Sequence, residues 1–470
     1  MTDESVAPQL IADRLDALLA TAGLPGARST FIDPDGAAPG CRPAVGEGAA
    51  VALAAVASAA AALWERRGVP AQEIRVSTRQ AAASLRSYTL QTLEGVSPGG
   101  APSDATPLAH FHPTRDGRFF FIHGVLPHLA RGTLRVLGLP DVPPTYDTVA
   151  KAVAGWDAEA LEDALAAAGM CGAYARTASE WDAHPQQIAT SAAGPLEVVR
   201  IGDAPPVPLP QGGRPLSGVR MLDLTRILAG PTCARTLAEH GAEVLLVSAP
   251  TLDSVKSFVI DTGHGKRSTW LDLDRETDRS TLRALASGAD VFSQSFRAGC
   301  LARRGFAPGD LAELRPGIVA VSINCYGHKG PWVDRPGWDQ LAMAATGLAC
   351  IQGGTVQTPA LMNCAACDYV TGYLAALGTL AALYRRSVEG GSWEVRVSLA
   401  QTGRWLRDFA APRALEPSPD LSLPDSFYAE CDTPLGRLRH LAPVARMSAT
   451  PPRWALPPVP LGTHAPEWTC

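Results

Sequence analysis

One aspartate, Asp368, stands at the start of a long apolar segment of helical composition. It lies in the stretch Cys364-Ala-Ala-Cys-Asp-Tyr-Val-Thr-Gly372. A carboxylate in the first turn of a helix often serves as a cap, because its oxygens accept N–H groups that lack intrahelical partners. A carboxylate can also act as a nucleophile that takes up an acyl group covalently. The two roles are compatible, because a helix N-terminus stabilises the anion in both of them.

Basic residues follow glycines and strand ends in the same half of the chain. The segment Gly263-His-Gly-Lys-Arg-Ser268 places Lys266 and Arg267 beside two glycines, which allow the backbone to approach a ligand closely. Arg297 follows a strand-like segment, and Arg303 comes shortly after it. Because lysine and arginine suit phosphate oxygens, a ligand with several phosphates would account for these cations. A plain solvated turn is the alternative for the glycine-rich segment.

The elements that must position these residues begin with a strand-helix-strand unit. Residues 219–231 predict a buried strand that ends at a Gly-Pro turn, 233–239 predict a helix, and 242–248 predict a second strand. Such a unit implies a parallel sheet, and parallel sheets bind ligands at the carboxyl ends of their strands. We therefore expect a site at the loops after Leu224 and Val247.

Composition excludes several classes of protein. The 470 residues carry a net charge of −5 with a pI of about 6.1, so there is no basic footprint for nucleic acid. The N-terminal segment lacks a secretory signal and no apolar run predicts a membrane span. These features predict a cytoplasmic protein with reduced thiols.

No GxGxxG fingerprint follows Leu224, which argues against a nicotinamide cofactor. Cys364 and Cys367 have no second pair at zinc spacing, and His110 and His112 have no obvious partners, so no metal site is predicted.

The chain contains an internal repeat. Residues 61–77 resemble residues 381–398, and each copy predicts a helix, a turn, a Glu-(Ile/Val)-Arg-Val-Ser strand and a further helix. Glu47 falls near the place in the first copy that Asp368 occupies in the second. We predict four regions: an N-terminal helical segment with a truncated first copy (1–96), a small domain (97–210), a large α/β domain with the aspartate (211–410) and an extended tail (411–470). Within these, 97–106 predicts a linker and 412–424 a surface loop.

Taken in order, several motifs resemble the class III CoA-transferase family, which includes formyl-CoA and carnitine CoA-transferases and α-methylacyl-CoA racemases. They are Leu216-Ser-Gly-Val-Arg-Met-Leu-Asp-Leu-Thr-Arg-Ile-Leu-Ala-Gly-Pro231, Gly265-Lys-Arg-Ser268, Ser295-Phe-Arg-Ala-Gly299, Tyr326-Gly-His-Lys-Gly-Pro331, Arg335-Pro-Gly-Trp-Asp339 and Asp368-Tyr-Val-Thr-Gly372. The resemblance implies an α/β large domain with a Rossmann-like parallel sheet and flanking helices, a smaller α+β domain, and a homodimer. In this chain the small domain precedes the large one.

The resemblance also implies the chemistry. Asp368 would be the nucleophile, acting through an acyl anhydride and an aspartyl-CoA thioester. The substrates would be an acyl-CoA and a carboxylic acid, with CoA as co-substrate and no tightly bound cofactor. The residues that the resemblance places at the CoA site are Arg226, Leu228, Ala229, Lys266, Arg267, Arg297, Arg303, Trp338 and Asp339.

Two departures from the family's motifs leave alternatives open. The family commonly has an arginine that contacts the nucleotide where this chain has Ala249, so Arg304 or another cation would have to replace it. The racemases have a proton-transfer histidine where this chain has Trp338, and racemisation needs two opposed acid/base groups. A racemase or epimerase would therefore have to recruit another base, such as His328. A non-catalytic CoA-binding subunit is the third alternative.

Overall fold

Apolar segments rich in β-branched residues alternate with alanine-rich segments, and they form the strands and helices of the protein. The structure, a computed structural model, describes residues 6–26, 28–99, 106–415 and 422–469. The helices are α1 (Pro8–Ala22), α2 (Val45–Glu65), α3 (Thr78–Ser84), α4 (Pro127–Val136), α5 (Tyr146–Val153), α6 (Ala158–Ala167), α7 (Ala178–Asp182), α8 (Pro185–Thr190), α9 (Ala229–Glu239), α10 (Lys256–Thr262), α11 (Glu276–Ser287), α12 (Pro308–Leu314), α13 (Asp339–Thr346), α14 (Leu348–Gly353), α15 (Ala366–Glu389) and α16 (Leu399–Arg407). The strands are β1 (Thr30–Asp33), β2 (Ile74–Ser77), β3 (Thr92–Leu93), β4 (Phe111–Pro113), β5 (Phe119–Ile122), β6 (Gly172–Tyr174), β7 (Glu197–Gly202), β8 (Arg220–Leu224), β9 (Glu243–Ser248), β10 (Lys266–Trp270), β11 (Val291–Gln294), β12 (Val319–Asn324), β13 (Ser392–Ser398), β14 (Tyr428–Thr433), β15 (Gly436–Leu441) and β16 (Arg446–Met447).

A central sheet of seven strands carries the fold, in the order β10-β9-β8-β11-β12-β13-β7. Neighbouring strands are parallel, except that β7 runs antiparallel to β13. Strand side chains such as Leu222, Phe292 and Val321 are buried, as expected when helices cover both faces of a parallel sheet. The predicted α/β class is confirmed, and β8, α9 and β9 form the predicted strand-helix-strand unit.

The helix of that unit begins earlier than predicted. α9 starts at Ala229, and Gly230 and Pro231 lie inside its first turn instead of ending the strand's turn. Proline is compatible with the first turn of a helix, because the N–H that it lacks would have no intrahelical acceptor there.

The internal repeat is visible as two similar strand sets. β2 pairs in parallel with β1 and antiparallel with β16, just as β13 pairs in parallel with β12 and antiparallel with β7. After each of the two strands a serine, Ser77 or Ser398, caps the following helix by accepting an N–H from a glutamine three residues on. The preceding helices, α2 and α15, pack against each other. The first copy therefore contains the helix and strand of the second copy without its longer parallel sheet.

A separate antiparallel sheet, β4-β5-β6, forms the smaller α+β part of the chain together with α4, α5 and α6. Its own apolar cluster includes Phe120, Leu134 and Leu161. The boundaries of the four predicted regions stay predictions, and residues 100–105 of the predicted linker and 416–421 of the predicted loop lie outside the described residues.

The C-terminal region is less extended than predicted, because β14 and β15 form a hairpin that pairs with β3. Residues after Met447 then cross the β10 edge of the central sheet. Gly265 N–H donates to Leu456 O at 2.8 Å, and His464 N–H donates to Ser268 O at 2.7 Å. The C-terminal segment thus packs against this edge of the sheet.

Two helices, α2 and α15, are long and apolar enough to cross a membrane by length and composition alone, contrary to the sequence-based expectation. Both lie inside the protein, where their side chains are buried. They are the central helices of the main apolar core.

Candidate active site

A cleft of about 550 Å³ lies where the strands of the central sheet end. Leu224, Val247, Leu271 and Ile323, from the ends of four strands or just beyond them, lie in its wall. This is the position at which parallel α/β sheets bind ligands, and the volume is within the usual range for a small-molecule site. The predicted loops after Leu224 and Val247 both line the cleft.

Asp368 lies in the wall of this cleft, in the first turn of α15. Only 7% of the residue is exposed, so its carboxylate is accessible almost entirely from the cleft. Among the described residues, none donates a hydrogen bond to this carboxylate, and the N-cap position of α15 belongs to Ala365. Asp368 therefore does not serve as the helix cap that its position in the sequence suggests.

A glycine allows α15 to come close enough to the cleft. A Cβ atom on Gly372, one turn after Asp368, would lie 2.5 Å from the carbonyl oxygen of Ala229 and 2.7 Å from Cβ of Thr232. The first turns of α15 and α9 thus touch through the backbone. This contact brings Asp368 and Ala229 to the same cleft wall.

The turn between β8 and α9 is tightly constrained. Ile227 has a φ of 70°, which a β-branched residue rarely adopts, and it lines the cleft. A Cβ on Gly230 would lie 2.2 Å from Cβ of Thr225, whose hydroxyl donates to Asp223 at 2.5 Å. Strained backbone of this kind clusters at functional sites.

Asp339 is coupled to Asp368 from behind the cleft. It is the first residue of α13, is buried, and accepts the backbone N–H of Asp368 on Oδ2 at 2.9 Å. Burial raises the pKa of Asp339 to about 7, although the N–H groups of Asp368 and Cys367 oppose this. Burial and the neighbouring Asp339 raise the pKa of Asp368 well above its usual range. The two carboxyls therefore resist being ionised together. Asp339 supports the site without lining the cleft.

Three of the predicted cations border the cleft. Arg226 is half-buried and donates to the carbonyl of Asp253, and Arg297 is exposed and donates to Gly169 O at 2.8 Å. Arg303 is exposed, and no residue within the described ranges forms a hydrogen bond or ion pair with its guanidinium. Arg303 is therefore the cation most available to an anionic ligand.

Lys266 does not border the cleft, contrary to the prediction. Its Nζ donates to Asp223 Oδ2 and to Pro231 O, both at 2.8 Å, and only 1% of the residue is exposed. Lys266 is the first residue of β10, and its side chain points toward α9. Its two bonds therefore connect β10 with β8 and α9, and the side chain does not face solvent. Burial lowers the pKa of Lys266, while the Asp223 carboxylate opposes that shift.

Arg267 and Leu228 are also outside the cleft wall. Arg267 follows Lys266 in β10, so its side chain points to the opposite face of the sheet. There it donates to Glu467 O of the C-terminal segment at 2.6 Å. Leu228 is buried at the N-cap of α9, where its carbonyl accepts the Thr232 N–H at 2.8 Å. Ala229, the next residue, does line the cleft as predicted.

Trp338 lines the cleft beside Asp368, as predicted, and an imidazole lies behind it. His123 stacks on Trp338 with ring centroids 4.3 Å apart and planes at 12°, and burial lowers the pKa of His123 to about 3. His328 lies away from the cleft wall, where its Nε2 donates to Val397 O at 3.2 Å. Neither imidazole is thus placed as the base that a racemase would need.

The smaller sheet's neighbourhood supplies cleft residues that sequence reasoning missed. Leu126, His128 and Leu129 from the start of α4, and Cys171 before β6, line the cleft opposite the large sheet. His128 Nδ1 lies 3.3 Å from Asp253 across the rim.

Two further arginines border the cleft: Arg304, paired with Asp274 at 2.5 Å, and Arg335, paired with Asp163. Ala249, at the position where the sequence resemblance implies an arginine, also lines the cleft.

Glu47, the counterpart of Asp368 in the first copy, has a structural role. It is buried near the start of α2 and its Oε1 accepts from Arg413 at 2.7 Å. A side chain held in an ion pair away from the cleft has no part in the same chemistry.

A protein-family model described as CoA-transferase family III matches residues 18–205 and 216–422. The chain belongs to this family. This match confirms the sequence resemblance to class III CoA-transferases.

Three similar proteins each match part of this chain. It is 34% identical over 326 residues to the acetyl-coenzyme A transferase nodX of Hypoxylon pulicicidum, covering 64% of this chain and 54% of the relative. It is 32% identical over 203 residues to the succinyl-CoA–L-malate CoA-transferase beta subunit of Chloroflexus aurantiacus, covering 40% and 50%. The crystal structure of Rv3272 from M. tuberculosis is 30% identical, covers 42% of this chain and 56% of its own, and superposes with a TM-score of 0.40. The chain thus spans about half the length of these relatives.

Proposed function

We propose that the chain is a CoA-transferase that moves CoA from an acyl-CoA to a second carboxylic acid through covalent intermediates on Asp368. The observation that carries this is the placement of the Asp368 carboxylate: it faces the cleft and has no hydrogen-bond donor among the described residues. Arg226, Arg297 and Arg303 border the same cleft and supply positive charge. The names of two relatives, an acetyl-coenzyme A transferase and a succinyl-CoA–L-malate CoA-transferase beta subunit, support the reaction class.

The proposed reaction needs no net proton transfer. A carboxylate oxygen of Asp368 attacks the thioester carbonyl, the C–S bond breaks, and CoA leaves as thiolate, which gives a mixed anhydride of Asp368 and the donor acyl group. The thiolate then attacks the aspartyl carbonyl and releases the donor acid, which leaves an aspartyl-CoA thioester. The acceptor carboxylate attacks that thioester to form a second anhydride and free the thiolate. Attack of the thiolate on the acceptor's acyl carbon gives the new acyl-CoA and restores Asp368.

The surroundings of Asp368 suit a nucleophile. Few groups solvate its carboxylate, so the anion that forms is poorly stabilised and reactive, while the first turn of α15 supplies a positive dipole end. Ala229 and Gly230 line the cleft in the first turn of α9, where N–H groups lack intrahelical acceptors. That turn can interact with negative charge that develops on the substrate.

Trapping with hydroxylamine tests the proposal. The protein is incubated with acetyl-CoA or succinyl-CoA and hydroxylamine, and peptides are examined by mass spectrometry for a hydroxamate on Asp368. Asp368→Asn should abolish transfer to malate and the modification while CoA binding persists. Asp334→Asn is the matched control, because Asp334 lines the same cleft but is exposed. Unchanged transfer in Asp368→Asn would refute the mechanism, and CoA binding without modification would favour the non-catalytic alternative.

Homodimer formation and a cytoplasmic location stay predictions. Light scattering on the purified chain tests the first: a mass of twice the chain is expected.

A further inference from the structure

We propose that His264, His440 and Cys431 form a binding site for a zinc ion that fastens the C-terminal hairpin to the large domain. The site is separate from the cleft, because none of the three residues lines it. Within the residues that the structure describes, this is the group of histidines, cysteines and acidic residues that meets the spacing of a metal site.

The three side chains come from distant parts of the chain. His264 lies between α10 and β10, Cys431 is on β14, and His440 is on β15. In the hairpin, His440 pairs with Ala429, so Cys431 and His440 project from the same face on a diagonal. That face meets the turn that carries His264. The ligand atoms of all three lie within 4.8 Å of one another.

The spacing is close to that of a zinc site. Zinc binds imidazole nitrogen at ~2.0 Å and thiolate sulfur at ~2.3 Å, so tetrahedral ligand atoms lie roughly 3.3–3.8 Å apart. Side-chain movements of about 1 Å would close the remaining gap. Two imidazoles and a thiolate leave the fourth tetrahedral position for water.

Each of the two histidines has a ring nitrogen that is free to bind a metal ion. His440 Nδ1 donates to the carbonyl of Leu441 at 2.9 Å, which fixes the ring and leaves Nε2 to accept a metal. His264 is 2% exposed, and its Nε2 has no hydrogen-bond partner. A buried polar nitrogen without a partner is costly, and a metal bond would satisfy it.

The cation near the three side chains is itself paired with a carboxylate. Arg235 is near both imidazoles, but it is paired with Asp261 at 2.8 Å, so its charge is balanced. The Trp454 ring packs against His264 and His440 at 4.7 and 5.7 Å between centroids and shields the group from solvent. Asp432 beside Cys431 adds negative charge.

Cobalt and zinc titrations of the full chain test the site. The chelator-treated protein should bind one equivalent of Zn²⁺, and Co²⁺ should give a thiolate-to-cobalt charge-transfer band. Cys431→Ser should lose that band, and His440→Gln should weaken Zn²⁺ binding by about tenfold or more, since even loss of an outer partner has effects of that size. Cys350→Ser and His110→Gln are controls, because these residues lie outside the group, and both should bind as the parent protein does.

Thermal melting gives a second readout that does not depend on activity. Zn²⁺ should raise the melting temperature of the parent protein and of both controls but not of Cys431→Ser. Cys431 is half-exposed, so its variant should fold even if a histidine variant does not. Absence of the cobalt band in the parent protein, or equal zinc affinity in Cys431→Ser, would overturn the proposal. Neither result would bear on Asp368 and transfer.

Discussion

The backbone N–H of Asp368 donates to Oδ2 of Asp339 at 2.9 Å, which joins the first turn of α15 to the start of α13. The bond holds the proposed nucleophile in place, yet it also sets a second buried carboxyl close behind it. Burial is the larger cause of the raised pKa of Asp368, and the charge of Asp339 adds to it. The same contact thus positions the nucleophile and makes its ionisation harder.

Asp339→Asn should move the acid limb of the pH profile for kcat/KM to lower pH. The amide keeps an oxygen for the Asp368 N–H but removes the neighbouring charge, so Asp368 ionises more readily. Initial rates of transfer measured from acid to alkaline pH check this. Asp334→Asn should leave the profile in place. An acid limb that stays put or moves upward in Asp339→Asn would contradict the coupling.

Asp368→Asn should make the protein more stable than the parent at pH 8, although it is inactive. The folded-state pKa of Asp368 is raised, so its contribution to stability is fully present below the unfolded-state pKa and is lost as pH rises through the folded-state pKa. The amide removes this ionisation. Urea unfolding at pH 8 and pH 5 should show a gain for the variant at pH 8 that shrinks toward pH 5. An equal gain at both values would mean that ionisation is not its cause.

Sequence patterns located the proposed nucleophile, the sheet edge and most cations, because strand ends and helix starts leave local signals. They misplaced Lys266, since its partner Asp223 lies 43 positions away on another strand and only folding shows which face of β10 the lysine takes. They also missed Leu126 and Cys171, apolar residues whose contact with the cleft depends on how the smaller sheet packs. Residue type identifies chemistry, whereas side-chain direction requires the tertiary structure.

Lys266→Met should destabilise the fold by about 3–5 kcal/mol, because it leaves Asp223 charged, buried and unpaired. Lys256→Met, at an exposed position, should change stability by less than ~0.5 kcal/mol. Urea unfolding followed by circular dichroism measures both. Combining Lys266→Met with Asp223→Leu should recover much of the loss, since an apolar pair replaces the ion pair. A loss no larger than that of Lys256→Met would restore Lys266 as a candidate ligand.

Gly372→Ala should reduce both stability and transfer. The added Cβ would lie 2.5 Å from the carbonyl oxygen of Ala229, which forces α15 away from α9 and moves Asp368 in the cleft wall. Overpacking of this kind costs about 1–3 kcal/mol. Gly309→Ala, where a Cβ meets nothing within 4 Å, is the control and should behave like the parent. Melting curves and kcat should fall together in Gly372→Ala, and a fall in neither would contradict the proposed contact.

Arg303→Ala should raise KM for acyl-CoA about tenfold or more with little change in kcat. Arg303 is exposed at the cleft, and its guanidinium has no partner in the described part of the chain. A phosphate of CoA can therefore bind to it. A hydrogen bond to a charged group contributes about 1.5–3 kcal/mol. Loss of a contact made equally in ground and transition states changes KM alone.

An acyl-pantetheine donor, which lacks the nucleotide phosphates, distinguishes loss of the phosphate contact from a general loss of structure. Parent and variant should use this donor equally well. The control is Arg446→Ala, at an exposed position outside the cleft, which should match the parent with both donors. If the variant were impaired equally with both donors, Arg303 would act on the fold or on the reacting end of the substrate, and the placement of the nucleotide at this rim would be wrong.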